Sequence, residues 1–168
     1  MSGQRTRYLI RAVINGYPCL GELEEYTRPE IERETEEARG GRFIAEEIMT
    51  GIKLLEANLK LMGVGREVFS AMGVKNGDRV EIDVYESQQD KAGNVYGLHD
   101  QLTGEVKKLA FDTVKQKDKP GVELGLTLNA YKLTEDSEIV FDINVDTQYI
   151  DLGQGDIMAE HRRNVNMA

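Results

Sequence analysis

Val122-Glu123-Leu124-Gly125-Leu126-Thr127-Leu128-Asn129 alternates apolar and polar or small residues without a break. Successive side chains of a strand point to opposite faces, so this stretch presents one apolar face and one mostly polar face. The same period of two recurs elsewhere. Leu55, Ala57, Leu59 and Leu61 alternate with Glu56, Asn58 and Lys60, and Val80, Ile82 and Val84 with Arg79, Glu81 and Asp83. Ile139, Phe141, Ile143 and Val145 alternate with Val140, Asp142 and Asn144. Residues 8–14 and 19–26 flank Asn15-Gly16, a strong hairpin signal. Turn residues separate the strands: Gly63-Val64-Gly65, Asn76-Gly77, Ala92-Gly93-Asn94, Lys119-Pro120-Gly121 and Glu135-Asp136-Ser137. One short helix fits residues 66–72, where Val68, Phe69 and Met72 share a side and Gly73 stops it. A second fits residues 156–163, with Asp156 as N-cap. Strands without long intervening helices predict a mainly β, antiparallel sandwich or small barrel, one domain over residues 1–168.

A chain of 168 residues buries roughly 70% of its unfolded surface and needs no staple. The single cysteine, Cys19, has no internal partner, and Cys19, His99 and His161 cannot fill a tetrahedral zinc site. No cofactor or metal is expected. No apolar run approaches the ~20 residues of a membrane helix, and residues 1–7 do not read as a signal peptide. Folding in a reducing cytoplasm is the expectation. Thirty acidic against 21 basic residues give a formal charge of −9. Such a surface repels phosphate and anionic lipid, so gripping nucleic acid is disfavoured while avoiding it is not.

Catalytic and ligand motifs are weak. Gly63-Val64-Gly65 lies between a strand and a helix, but Val68 stands at the third glycine position and no βαβ unit surrounds it, so it reads as a turn. Asp142-Ile143-Asn144-Val145-Asp146 opens like a calcium loop, yet Thr147 and Gly153 occupy the positions that need Gly and Glu. A strand is the better reading. His99 and His161 each adjoin a carboxylate in sequence, Asp100 and Glu160, but adjacent residues do not face one another. Cys19 has no nearby histidine to activate it. No enzyme is indicated.

The most unusual stretch is residues 29–41, Pro-Glu-Ile-Glu-Arg-Glu-Thr-Glu-Glu-Ala-Arg-Gly-Gly. As a helix it is a self-repelling rod with little apolar stripe. As a strand, Glu30, Glu32, Glu34 and Glu36 point one way, with Ile31, Arg33 and Thr35 opposite. The bland alternative is a solvated charged loop. A row of like charges on one strand face is costly unless it meets water or cations.

Three places in the chain resemble the major tail tube proteins of contractile-tailed bacteriophages, a family related to the tubes of phage-tail-like bacteriocins. One is Pro29, Ile31 and Thr35-Glu36-Glu37-Ala38-Arg39-Gly40 after an apolar hairpin strand; another is Leu126-Thr127-Leu128-Asn129-Ala130-Tyr131-Lys132-Leu133. The last is residues 143–149 followed by Gly155-Asp156-Ile157-Met158-Ala159-Glu160-His161-Arg162 and Val165. The likeness runs from about Leu9 to Val165. Glu30 and Glu34 depart from the basic or neutral residues of relatives, Ala38 replaces an aromatic, and residues 87–94 look like an insertion.

The resemblance implies a structural protein of the virion, assembled in the bacterial host cytoplasm. Hexameric rings, with sheets joined edge to edge, stack into a tube that encloses the tape measure protein and then conducts DNA without binding it specifically. A tail sheath surrounds the tube; baseplate hub and tail terminator proteins meet its ends, and nothing inserts into a membrane. The expected subunit or ring contacts are Arg28, Pro29, Ile31, Arg33, Thr35, Glu36, Glu37, Arg39, Gly40, Glu160, His161 and Arg162. Glu30, Glu32 and Glu34 form an acidic face for the bore or an interface. Two alternatives stand: the tube of a bacteriocin or type VI secretion system, and a monomeric β-barrel that binds a small ligand in an apolar cavity.

Overall fold

Gly121–Glu135 (β9) contains the decisive stretch and organises the protein. A computed structural model of the chain describes residues 3–18, 23–63, 65–66 and 78–167. The other strands are β1 (Thr6–Ile14), β2 (Tyr17–Pro18), β3 (Leu23–Thr27), β4 (Arg33–Ala38) and β5 (Glu46–Ile52). They continue with β6 (Glu56–Met62), β7 (Val80–Gln89), β8 (Val95–Phe111), β10 (Glu138–Asn144) and β11 (Tyr149–Asp151). Helix α1 spans Ala159–Asn164. Every ladder is antiparallel.

One edge of β9 pairs with β8 along its length, while the other is shared. Gly121 to Thr127 face β6, and Ala130 to Glu135 face β10. The change of partner falls at Leu128 and Asn129: Leu128 donates its N–H to the Leu55 carbonyl at 2.9 Å, and the Asn129 carbonyl accepts from Val145 at 2.7 Å. On the opposite side the ladder shifts between Thr103 and Gly104. A Cβ at Gly104 would lie 2.2 Å from the Thr127 carbonyl oxygen, so the bend of β8 against β9 requires glycine.

The resulting order is β11-β10-β9-β8-β7-β1-β2, with β6 and then β3 branching from β9. The two parts enclose one core. Leu124, Leu126 and Leu128 meet Ala57, Leu59 and Leu61, Ile82 and Val84, and Ala12 and Ile14. β3 approaches β1, yet among the described residues no ladder joins them. The architecture is a β-sandwich rather than a closed barrel.

Most local expectations hold. Asn15 and Gly16 both have positive φ and turn the chain, as do Asp136 and Ser137 between β9 and β10. The expected hairpin partner 19–26 does not hold: β1 pairs there with Tyr17–Pro18, Leu23 to Tyr26 pair with β6 instead, and residues 19–22 lie outside the described residues. Two more need correction. The shift between Ile139 and Phe141 turns Ile139 outward, and Val145 lies beyond β10, so both are exposed. The last helix begins at Ala159, after Met158; Asp156 precedes it and accepts from the N–H groups of both Met158 and Ile150. In the expected helix 66–72 only Arg66 is described; residues 67–72, Cys19 and Asn76-Gly77 lie outside the described residues.

Candidate assembly surface

After β3 the chain leaves the sandwich through Arg28 and Pro29. Arg28 is anchored in an ionic cluster over the core. Its Nε donates to Asp100 Oδ2 at 2.9 Å and a terminal nitrogen pairs with Glu86. Tyr26 donates to the same Asp100 oxygen at 2.7 Å, and Arg7 pairs with Glu86 from β1. Asp100 is 1% exposed. Burial works against the Arg28 charge, but the Asp100 carboxylate outweighs it and holds the guanidinium above its usual range. Burial, then Asp100, pushes the Tyr26 phenol well up, and burial also raises Tyr131. Arg28 therefore spends its charge inside the subunit. Pro29 is buried and Ile31 packs against the core.

Beyond this anchor, β4 and β5 form a separate two-stranded sheet. Both strands are exposed on nearly every residue. The extended reading of residues 29–41 holds for Arg33–Ala38; Glu30 and Glu32 precede the strand. Glu34 and Glu36 share a face and oppose Gly51 and Ile48, while Arg33, Thr35 and Glu37 take the other face. On that second face Glu37 stands directly opposite Glu47, a like-charge pair that weakens the hairpin. Around the foot, Lys53 pairs with Glu32 at 3.1 Å.

The hairpin tip carries its own logic. Gly40 and Gly41 turn the chain with positive φ, Arg39 donates to the Phe43 carbonyl at 2.8 Å, and Arg42 pairs with Glu46. These bonds set the backbone and leave Phe43 96% and Ile44 79% exposed. The sequence reading singled out the charges of this segment and passed over the two apolar residues just after Gly41 and Arg42. Their position between two charged strand segments was the available signal.

The C-terminal residues are fastened to their own subunit. Asp156 accepts from the Met158 N–H at 3.0 Å and the Ile150 N–H at 3.4 Å, and pairs with Arg162. Arg162 also donates to the Gln148 carbonyl at 3.1 Å. Its hydrogen bond lowers the Asp156 carboxyl to about 2; burial opposes this, and the N–H groups of Met158 and Ile150 add to the lowering. Glu160 and His161 remain exposed. His161, Ile157 and Met158 line one wall of a groove of about 740 Å³ whose other wall is the foot of β5 with Leu54. Of the expected contact residues, only His161 lines this groove, across from β5, the strand that pairs with β4.

The β-sandwich projects a hairpin that is separate from its main sheet and exposed on nearly every residue. The sequence profile of the phage tail tube protein FII family matches residues 8–165. The chain belongs to that family and is a structural subunit of a tail tube. No curated protein matches it. Among solved structures, the sheath–tube complex of an extracellular contractile injection system, PVC, in its extended state has a similar fold. Its chain matches with a TM-score of 0.55 and 12% identity, over 76% of this chain and 88% of that one. A chain of the PVC sheath/tube terminator matches with the same TM-score and identity, over 76% and 94%.

Proposed function

We propose that the protein builds the inner tube of a contractile phage tail as stacked hexameric rings, acting by self-assembly and without catalysis. The observation that carries this reading is the β4–β5 hairpin. A two-stranded sheet alone is marginal in water, and among the described residues this one has no third strand. The free edge of β1 supports the same reading: Thr6 to Ala12 take no ladder partner other than β7 among the described residues. Edge-to-edge joining of sheets between subunits would remove that liability. Six copies at −9 carry about −54 per ring, and a negative bore lets DNA slide rather than stick. Sheath protein outside, tape measure protein inside, and hub and terminator proteins at the ends complete the assembly.

The residue assignments follow. Arg33, Thr35, Glu36, Glu37, Arg39 and Gly40 meet a neighbouring subunit or ring, with Glu160 and His161 at the receiving side. Arg28, Pro29, Ile31 and Arg162 position those segments from within. Glu30, Glu32 and Glu34 supply acidic charge to the bore or interface.

Negative-stain electron microscopy over a concentration series, with size-exclusion mass in parallel, tests this. Hollow rings or tubes of uniform bore are expected. A stable monomer at every concentration, also after addition of baseplate hub complexes, would count against it and favour a monomeric binder. The two similar solved structures belong to an extracellular contractile injection system, so a tube of that kind is the second reading. Capsid and terminase genes beside this one would decide for a phage.

A further inference from the structure

We propose that the groove between the foot of β5 and helix α1 is a receptor for the apolar hairpin tip, Phe43–Ile44, of a second copy of this chain. This rests on the tube reading and gives it a specific contact. Phe43 and Ile44 at the tip are 96% and 79% exposed. Its turn is fixed by two glycines and two arginine contacts, yet it holds Phe43 almost wholly in water. An ordered aromatic in that position gains nothing in the isolated subunit.

The groove supplies the complementary shape. Met49, Leu54, Val145 and Ile157 open onto it, each more than two-fifths exposed. Its volume of about 740 Å³ lies within the ~300–1,000 Å³ of sites that take a ligand-sized group. The match is one of apolar shape rather than charge: Lys53 in the wall is already paired with Glu32, and the tip carries Arg39 and Arg42 as well as Glu37 and Glu47.

Geometry excludes the contact within one chain. The groove lies at the foot of β5 and the tip at its head, and Glu46 to Ile52 as a strand separate them by roughly 20 Å. The two surfaces are different patches, so the contact is heterologous: each copy offers a tip and a groove. Such contacts propagate, closing into rings or running on as a filament, rather than stopping at a dimer.

Disulfide trapping tests the contact. In a Cys19→Ser background, Phe43→Cys and Ile157→Cys are made as separate proteins, mixed under assembly conditions and oxidised mildly. Val95→Cys, exposed at the start of β8, replaces Ile157→Cys in the control, and Val145→Cys gives a second site in the groove should Ile157→Cys fold poorly. Circular dichroism checks each protein first. Mixed dimers of 43 with 157 or 145, in about tenfold excess over 43 with 95, are expected because docking raises the local thiol concentration. Tubes in the micrographs with no such excess overturn the docking and leave the tube reading intact. An excess without tubes supports the docking and counts against the tube. Neither tubes nor excess overturns both.

Discussion

Asp100 and Glu86 are carboxylates in the core side of a sheet, and Arg28 is the cation that makes them tolerable. Removing one partner of a buried pair leaves an uncompensated charge, a larger loss than the pair's net contribution. Arg28 keeps 31% of its side chain exposed and Arg7 still reaches Glu86. Arg28→Met is therefore expected to cost about 3 kcal/mol, the low end for such a break. Urea denaturation of the monomer measures it. Adding Asp100→Asn should recover part of the loss; a further loss would show that Asp100 works through some other contact. Asp156 makes a different case, where pH is the lever. Its carboxyl is held at about 2, below the ~3.9 of an unfolded aspartate. A depressed value means that the contribution is full above about pH 4 and lost as pH falls towards 2. Amide exchange in α1, corrected for its intrinsic slowing in acid, should accelerate across that window while β9 remains protected. In Asp156→Asn it should already be fast at neutral pH; unchanged protection there would exclude Asp156 as the clamp.

At the scale of elements, the readable strands were those with one buried face. β6, β7 and β9 keep period two because the core takes every second residue. β8 hid from pattern reading: its 17 residues carry two register shifts, each of which resets which residues face inward. β5 hid for the opposite reason. It buries neither face, so Glu46-Glu47-Ile48-Met49-Thr50-Gly51-Ile52 has no alternation to detect. The acidic segment was legible as an extended strand, but its anchor was not, since Arg28, Glu86 and Asp100 meet from distant positions. For the hairpin, Arg33→Glu with Arg39→Glu is expected to shorten tubes sharply in electron micrographs while leaving the subunit's circular dichroism unchanged. Arg33 has no internal ion pair among the described residues and Arg39 holds only the tip turn, so the core does not depend on them. Tubes of normal length would exclude this face from ring stacking.

The whole molecule sets apolar contact against charge. Each copy carries −9, so bringing copies together costs repulsion over a range that salt controls. The screening length is about 30 Å at 0.01 M and about 8 Å at 0.15 M. Exposed apolar residues include Phe43 and Ile44 at the tip and Leu54 and Ile157 in the groove, whose burial salt does not weaken. Raising salt from about 0.01 to about 0.15 M should then lower the protein concentration at which tubes form, as turbidity and sedimentation would read. A protein gripping a partner mainly through arginine–carboxylate pairs behaves in the opposite sense, because those pairs are what salt screens. A threshold that rises with salt would therefore place Arg33 and its acidic neighbours, not the apolar tip, at the centre of the interface. The proposed role as a DNA conduit draws on the same acidity. Double-stranded DNA mixed with assembled tubes at about 0.15 M salt should show no retention in a gel, since the anionic bore proposed above would release no counterions.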